Sequence, residues 1–165
     1  MNSSIDRFMA QQGFGDEEPS RRGWHFRALQ LQPSVLGLLV VVGIIFQWAT
    51  LFFVLAAVLA WNVMVPALNP FERLYDWVIG GPASRSKLEP APPPRRFAQG
   101  MAAAFMAVTG ISLALGWMIV AYVFEAFLLV ALIALIAGRF CMGSYIFHTL
   151  SGRSAFANST CPWSK

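Results

Sequence analysis

Two stretches of this chain carry almost no charge, and they decide what it can fold into. Val35 to Leu68 runs without an acid or a base, and Gln99 to Gly138 holds a single acid, Glu125. As single helices they would extend about 51 Å and about 60 Å at 1.5 Å per residue. A bilayer's hydrocarbon core is about 30 Å thick and is crossed by about 20 apolar residues. Each stretch is long enough for two crossings and must double back. Barrel strands would alternate in roughly 10-residue segments, and neither stretch alternates. Only 12% of residues are charged, where a soluble domain carries about 25%. The expected fold is an all-α integral membrane protein. It has four transmembrane helices as two tandem hairpins, a parallel repeat, plus a short interfacial helix.

The least apolar point of the first stretch is Gln47-Trp48-Ala49-Thr50. A turn there gives helices Leu31–Phe46 and Trp48–Leu68 within a hairpin spanning 24–68, with Pro33 in the first turn, where its missing N–H is harmless. Residues 1–23 read as a mobile cytoplasmic tail without a secretory signal. Asn69-Pro70-Phe71-Glu72 is a helix-start signature: Asn caps, Pro opens the helix and Glu reaches back to the cap. It opens an amphipathic segment over 69–79, with Phe71, Leu74, Tyr75 and Val78 on one face, suited to the membrane interface. Residues 80–96 form a Pro-rich linker, extended at its Pro90–Pro94 end. A third helix, Phe97–Leu115, turns at Gly116-Trp117 into a fourth that continues past Arg139 to about Leu150, closing a hairpin over 97–150. Residues 151–165 form a short tail.

Sliding the chain along itself until Arg27 falls on Arg96 also lays Gln30 on Gln99, Trp48 on Trp117, and Phe71 on Phe140. All twelve Lys and Arg residues lie outside the apolar stretches, in the N-terminal, linker and C-terminal segments, while both expected turns are uncharged. Basic residues favour the cytoplasmic side, which places both termini and the linker in the cytoplasm and the protein in a cytoplasmic membrane. Nothing in the net charge of +4 calls for nucleic acid. The bilayer is one expected partner, and other membrane subunits or further copies of the chain are the others.

Glu125 is the sharpest candidate. It lies eight residues past Trp117, about 12 Å into the membrane, where an ionisable group is expensive and marks a functional hypothesis. Tyr122, Thr109, Ser112 and Gln47 are its candidate hydrogen-bond donors. Gly100, Ala104, Ala107 and Gly110 make the third helix a packing surface, since small residues let backbones approach where lipid offers no hydrophobic drive. Cys141 and Cys161 are thiols on the reducing side. Cys141 and His148 share a helix face, but a zinc site needs three or four ligands, so no metal is expected. No cofactor is expected either; His25 and His148 stand at similar depth and are the two imidazoles a haem or chlorin would need.

The entry Arg96-Phe97-Ala98 and the helix end Phe140-Cys141-Met142-Gly143-Ser144 carry a resemblance. They are similar to motifs of a bacterial family of small multi-span membrane proteins, a domain of unknown function, whose last helix ends in Phe-Cys-x-Gly-Cys. The resemblance covers about Val35 to Tyr145. It implies paired hairpins. Any thiol-redox role it implies meets Ser144, which stands at the second cysteine. Three functions compete. First comes a non-catalytic accessory or scaffolding subunit of a larger membrane complex, respiratory or photosynthetic for example. A small transporter or ion-coupling protein centred on Glu125 comes next, and then a thiol-linked redox protein using Cys141. No phosphate loop, nucleophile elbow or carboxylate pair points to an enzyme.

Overall fold

A computed structural model of the chain describes residues 4–16, 18–69, 71 and 90–162. Among these residues seven α-helices follow in order: α1 (Ser4–Gln12), α2 (Pro19–Phe46), α3 (Ala49–Met64), α4 (Pro93–Ala114), α5 (Met118–Ile136), α6 (Met142–Leu150) and α7 (Ser154–Thr160). A 3-10 turn, Pro66–Leu68, extends α3. No strand occurs among the described residues. Three of the described helical segments are long and apolar enough to cross a membrane: His25–Phe46 within α2, α4 and α5. The apolar α3 is shorter, at 16 residues.

Both hairpin turns fall where the sequence puts them, and one hydrogen-bond pattern closes both. At the first, Trp48 N–H donates to the Gly43 carbonyl at 2.9 Å and Gln47 N–H to Ile44 at 3.3 Å. At the second, Trp117 N–H donates to Ser112 at 2.7 Å and Gly116 N–H to Leu113 at 3.2 Å. This pairing satisfies two orphan carbonyls of a helix end and needs a left-handed residue in between. Gly116 supplies it at φ 73°, and Gln47 at φ 48°. A left-handed residue with a side chain is strained. Gln47 offsets this by donating its own Nε2 to the Ile44 carbonyl at 2.7 Å.

The core lies between α2, α3, α4 and α5. Val40, Phe52, Leu59, Met106 and Leu128 are at its centre. α4 packs on α3, α5 and α6. Its Gly110 sits where an added Cβ would come 3.1 Å from the Phe53 ring and 3.3 Å from the Ala49 carbonyl. Ala107 packs at the edge of the core. Ala104 is exposed instead, and Gly100 has Val63 no nearer than 3.9 Å from its added Cβ. The packing surface of α4 is thus narrower than the stripe of small residues suggests. On α5 only Ala121, Glu125 and Leu128 are buried. That one-face spacing suits a helix that turns its other sides to lipid.

Several expectations need correction. The segment expected as a mobile tail contains α1, whose Phe8 and Met9 are buried against Phe14 and Leu29. Its apolar residues pack on the start of α2, which begins at Pro19, so Pro33 falls inside that helix rather than in its first turn. α4 begins at Pro93, ahead of the expected Phe97, because prolines suit a first helical turn. The fourth helix does not continue to Leu150. α5 ends at Ile136, Arg139 adopts φ 50°, and Phe140 N–H closes onto the Ala134 carbonyl at 3.0 Å. This turn lets α6 leave the α5 axis and lie on α4. The C-terminal tail holds α7, with Ala157 and Thr160 buried. At the 69–79 segment, Phe71 N–H donates to Asn69 Oδ1 at 3.0 Å, as a cap should. Pro70 and residues 72–79, like 80–89 of the linker, lie outside the described residues.

Candidate functional site

Glu125 is 4% exposed, two turns into α5. Gln47 Nε2, in the first hairpin turn, donates to Oε1 at 3.2 Å and to Oε2 at 3.4 Å. Of the donors anticipated from sequence, Gln47 is the one that reaches it. Thr109 Oγ1 instead donates to the Phe105 carbonyl of its own helix at 2.9 Å. Tyr122 is 53% exposed and points off the bundle. It lies one turn before Glu125 on α5, rotated about 60° round the helix axis, enough to leave the packed face. The Gln47–Glu125 contact ties the first turn to α5 and so joins the two hairpins.

A larger polar cluster sits toward the opposite end, and the sequence reading missed it. Gln32 Oε1 on α2 accepts three donors: Asn69 Nδ2 at 3.3 Å, Arg95 Nη2 at 3.2 Å and Gln99 Nε2 at 3.1 Å. All four residues are buried. The signal was present: Arg95 and Gln99 are four apart and share one face of α4. Next to them Arg96 uses Nε and Nη2 to hold the Val63 carbonyl at 3.1 and 2.8 Å. That cation caps the C-terminal end of α3, where helix carbonyls lack partners and the dipole favours positive charge.

Gln32, Arg95 and Gln99 of this cluster line one end of a half-open cavity of about 430 Å³ bordered by α1 to α6. Gln12, Gln32, Arg95 and Gln99 line it, together with the Cys141 wall. The rest of the lining is apolar, from Leu36 and Phe105 to Leu132 and Leu135. Phe127, Val130 and Met142 line it too and are exposed, which puts an opening on the outer, apolar side of α5 and α6. Its volume falls within the roughly 300–1,000 Å³ of small-molecule sites, and its mix of apolar walls and few convergent polar groups is the usual one.

The helix-end motif builds the floor of the cavity. Cys141 N–H donates to Gln11 Oε1 at 2.8 Å, so α1 is pinned to it. An added Cβ at Gly143 would lie 2.6 Å from both Cα and Cβ of Ala98, so α6 and α4 touch backbone to backbone there. Ser144 Oγ donates to the Pro94 carbonyl at 3.3 Å. Phe97 and Phe147 pack with ring centroids 5.7 Å apart. The Arg-Phe-Ala entry and the Phe-Cys-x-Gly end, separated in sequence by most of α4 and all of α5, dock on each other.

Cys141 is buried and Cys161 half-buried, and no disulfide joins them. His148 Nε2 pairs with the Gln11 carbonyl at 3.0 Å, and its ring stacks edge-on with Phe156 at 4.8 Å. His25 meets the Phe14 ring at 4.7 Å. No group of three metal-ligating side chains occurs among the described residues.

Among the described residues the protein is all-helical, with three helices long and apolar enough to cross a membrane and a half-open cavity between its helices. The chain belongs to the family described as Domain of unknown function (DUF4395), whose model matches residues 26–151. The match takes in α2 from Phe26 onward, α3 to α6 and both docked motifs, and leaves α1 and α7 outside it. No curated protein and no solved structure matches the chain.

Proposed function

We propose that this is a four-span protein of the bacterial cytoplasmic membrane that takes an amphipathic molecule from the bilayer into its cavity and holds it without chemistry of its own. The observation that carries this reading is the cavity: apolar along its length, polar at one end, and open on the side of α5 and α6 that would face lipid. The fourth span is α3 with its 3-10 extension. Sixteen residues at 1.5 Å and three at 2.0 Å reach about 30 Å, which matches the hydrocarbon thickness. Two hairpins of one design, with matching turns at Gln47-Trp48 and Gly116-Trp117, support a tandem repeat in the register that lays Trp48 on Trp117. Arg95, Arg96, Arg139 and Arg153 lie at the end bearing α1, α6 and α7, which favours termini in the cytoplasm.

The docked α1 and α7 weaken one motive for a partner-gripping subunit, since the tails are used within the chain. Holding a ligand remains a non-catalytic role, alone or inside a larger assembly. The test is organic extraction of the purified full-length protein after gentle isolation from native membranes. One small molecule per chain is expected, and it should be depleted in Ala131→Phe, which fills the cavity from α5. Equal yields from both proteins would overturn the reading.

A further inference from the structure

We propose that the cavity takes an uncharged single-chain lipid with a hydroxyl head group seated on Gln99 and Gln12, an inference that rests on the cavity being a ligand site. One unmet oxygen carries it. Gln99 is 8% exposed and lines the cavity, and its Oε1 has no hydrogen-bond partner among the described residues. Its Nε2 donates to Gln32 Oε1 at 3.1 Å. Reversing the amide would set two oxygens at that distance, so the orientation with Nε2 toward Gln32 is the consistent one. The unmet group is therefore an acceptor, and a buried acceptor left unpaired in an apolar setting is costly. An occupant that brings a donor to Gln99 Oε1 removes that cost. Gln12 supplies a second amide at the same end: it lines the cavity and is 5% exposed. Its neighbour Gly13 stands against the start of α4, where an added Cβ would lie 2.7 Å from Pro92 Cβ and 3.5 Å from Pro94 Cδ. Gln99 follows on the same helix, about 7.5 Å beyond Pro94.

The sign of the unmet group selects the head. An ionised carboxylate or a phosphodiester offers only acceptors and would set oxygen against Gln99 Oε1. An ester, an ether and a quinone also only accept, and a hydrocarbon neither accepts nor donates. A hydroxyl donates its proton to Gln99 Oε1 and keeps its lone pairs for the N–H groups of the Gln12 amide. Neither contact calls for a charge on the ligand. The rest of the site fits a single chain: the apolar lining follows α4 from Gln99 to Met106, about 10 Å of helix, and continues on α5 to the exposed Phe127 and Val130.

The test uses the full-length chain in phosphatidylcholine nanodiscs, loaded at one membrane concentration with hexadecanol, its methyl ether or hexadecane, with bound molecules per chain counted by mass spectrometry of gently released complexes. The alcohol should be retained at one per chain, and the ether and the hydrocarbon about tenfold more weakly, because both leave the Gln99 oxygen unpaired. Gln99→Leu removes the acceptor, while Gln32 Oε1 keeps its donors from Asn69 and Arg95. The alcohol should then fall to the level of the ether and the hydrocarbon should not weaken, with helix content followed by circular dichroism. Gln12→Leu, on α1, leaves the Gln32 cluster intact; it should weaken the alcohol and spare the hydrocarbon. If alcohol, ether and hydrocarbon are retained equally, or either variant keeps the full preference for the alcohol, the hydroxyl assignment is wrong while the cavity reading stands. If the unaltered chain retains none of the three, the cavity reading falls as well.

Discussion

Replacing Gly143 by alanine should loosen the bundle at the point where α6 meets α4. The new Cβ would enter at 2.6 Å from Ala98 Cα and 2.6 Å from Ala98 Cβ, and the first is backbone that cannot swing aside. Inserting a methyl into a tight contact costs about 1–3 kcal/mol. Alanine returns at most about 1 kcal/mol of helix propensity, and less near a helix start. The expected net loss is about 1–2 kcal/mol. Gly100→Ala is the internal control: its added Cβ meets only Val63 Cγ2 at 3.9 Å, so propensity acts alone and stability should hold or rise. Adding Ala98→Gly to Gly143→Ala removes one of the two clashing atoms and should restore part of the loss. Equilibrium unfolding in mixed micelles, read by circular dichroism, separates the three. If Gly143→Ala proves as stable as Gly100→Ala, α6 does not lie on α4 as described, and the floor of the cavity goes with it.

Gln47→Ala should destabilise by about 1–2 kcal/mol, from a left-handed residue without its side-chain bond, whereas Gln47→Gly should be nearly neutral because glycine relieves the strain; unfolding curves of the two decide it. Glu125→Leu removes an interhelical hydrogen bond, worth about 0.6 kcal/mol on average in membranes and up to about 1.7, and should lower stability by that much. Glu125→Gln keeps a partner for Gln47 and should retain both fold and cavity loading, a result that proton or ion coupling through Glu125 would not give in a flux assay. Cysteines placed at Trp48 and Trp117, both exposed at the hairpin turns, should react with an impermeant maleimide from outside intact cells, and one at Ser154 should not; labelling of all three would end the four-span topology.

Much of this was legible in sequence because charge depletion and helix periodicity are strong signals. The two apolar stretches called for hairpins, and Gln47-Trp48 and Gly116-Trp117 placed the turns. The departures share one cause: local composition does not report what a segment docks against. The segment holding α1 reads as polar, yet Phe8, Met9 and Phe14 form an apolar face that only the start of α2 makes useful. The break after α5 hides behind Arg139, since a non-glycine residue at positive φ carries little sequence signature. Gly138 beside it was the available hint. The polar cluster was hidden for a different reason. Gln32, Asn69, Arg95 and Gln99 come from three separate segments, and each by itself reads as a helix end at the headgroup level. Only the folded bundle brings α2, the segment at Asn69 and the start of α4 together and turns them inward on one oxygen. Glu125 was visible from its isolation, and its partner Gln47 was among the candidates, but Tyr122 illustrates how a neighbour one turn away can face out.

The chain's own methionines report most directly on whether the cavity is occupied. Met101, Met106 and Met142 line it, and Met106 is buried from bulk lipid, while Met64 and Met118 are exposed on the outer surface. Methyl-labelled protein in nanodiscs would be titrated with a stearyl alcohol bearing a nitroxide near its tail, and methionine line widths followed. An occupied cavity broadens Met106 along with Met101 and Met142, and Ala131→Phe abolishes the broadening of Met106. Broadening confined to Met64 and Met118, with Met106 sharp in both proteins, would contradict a ligand site inside the bundle.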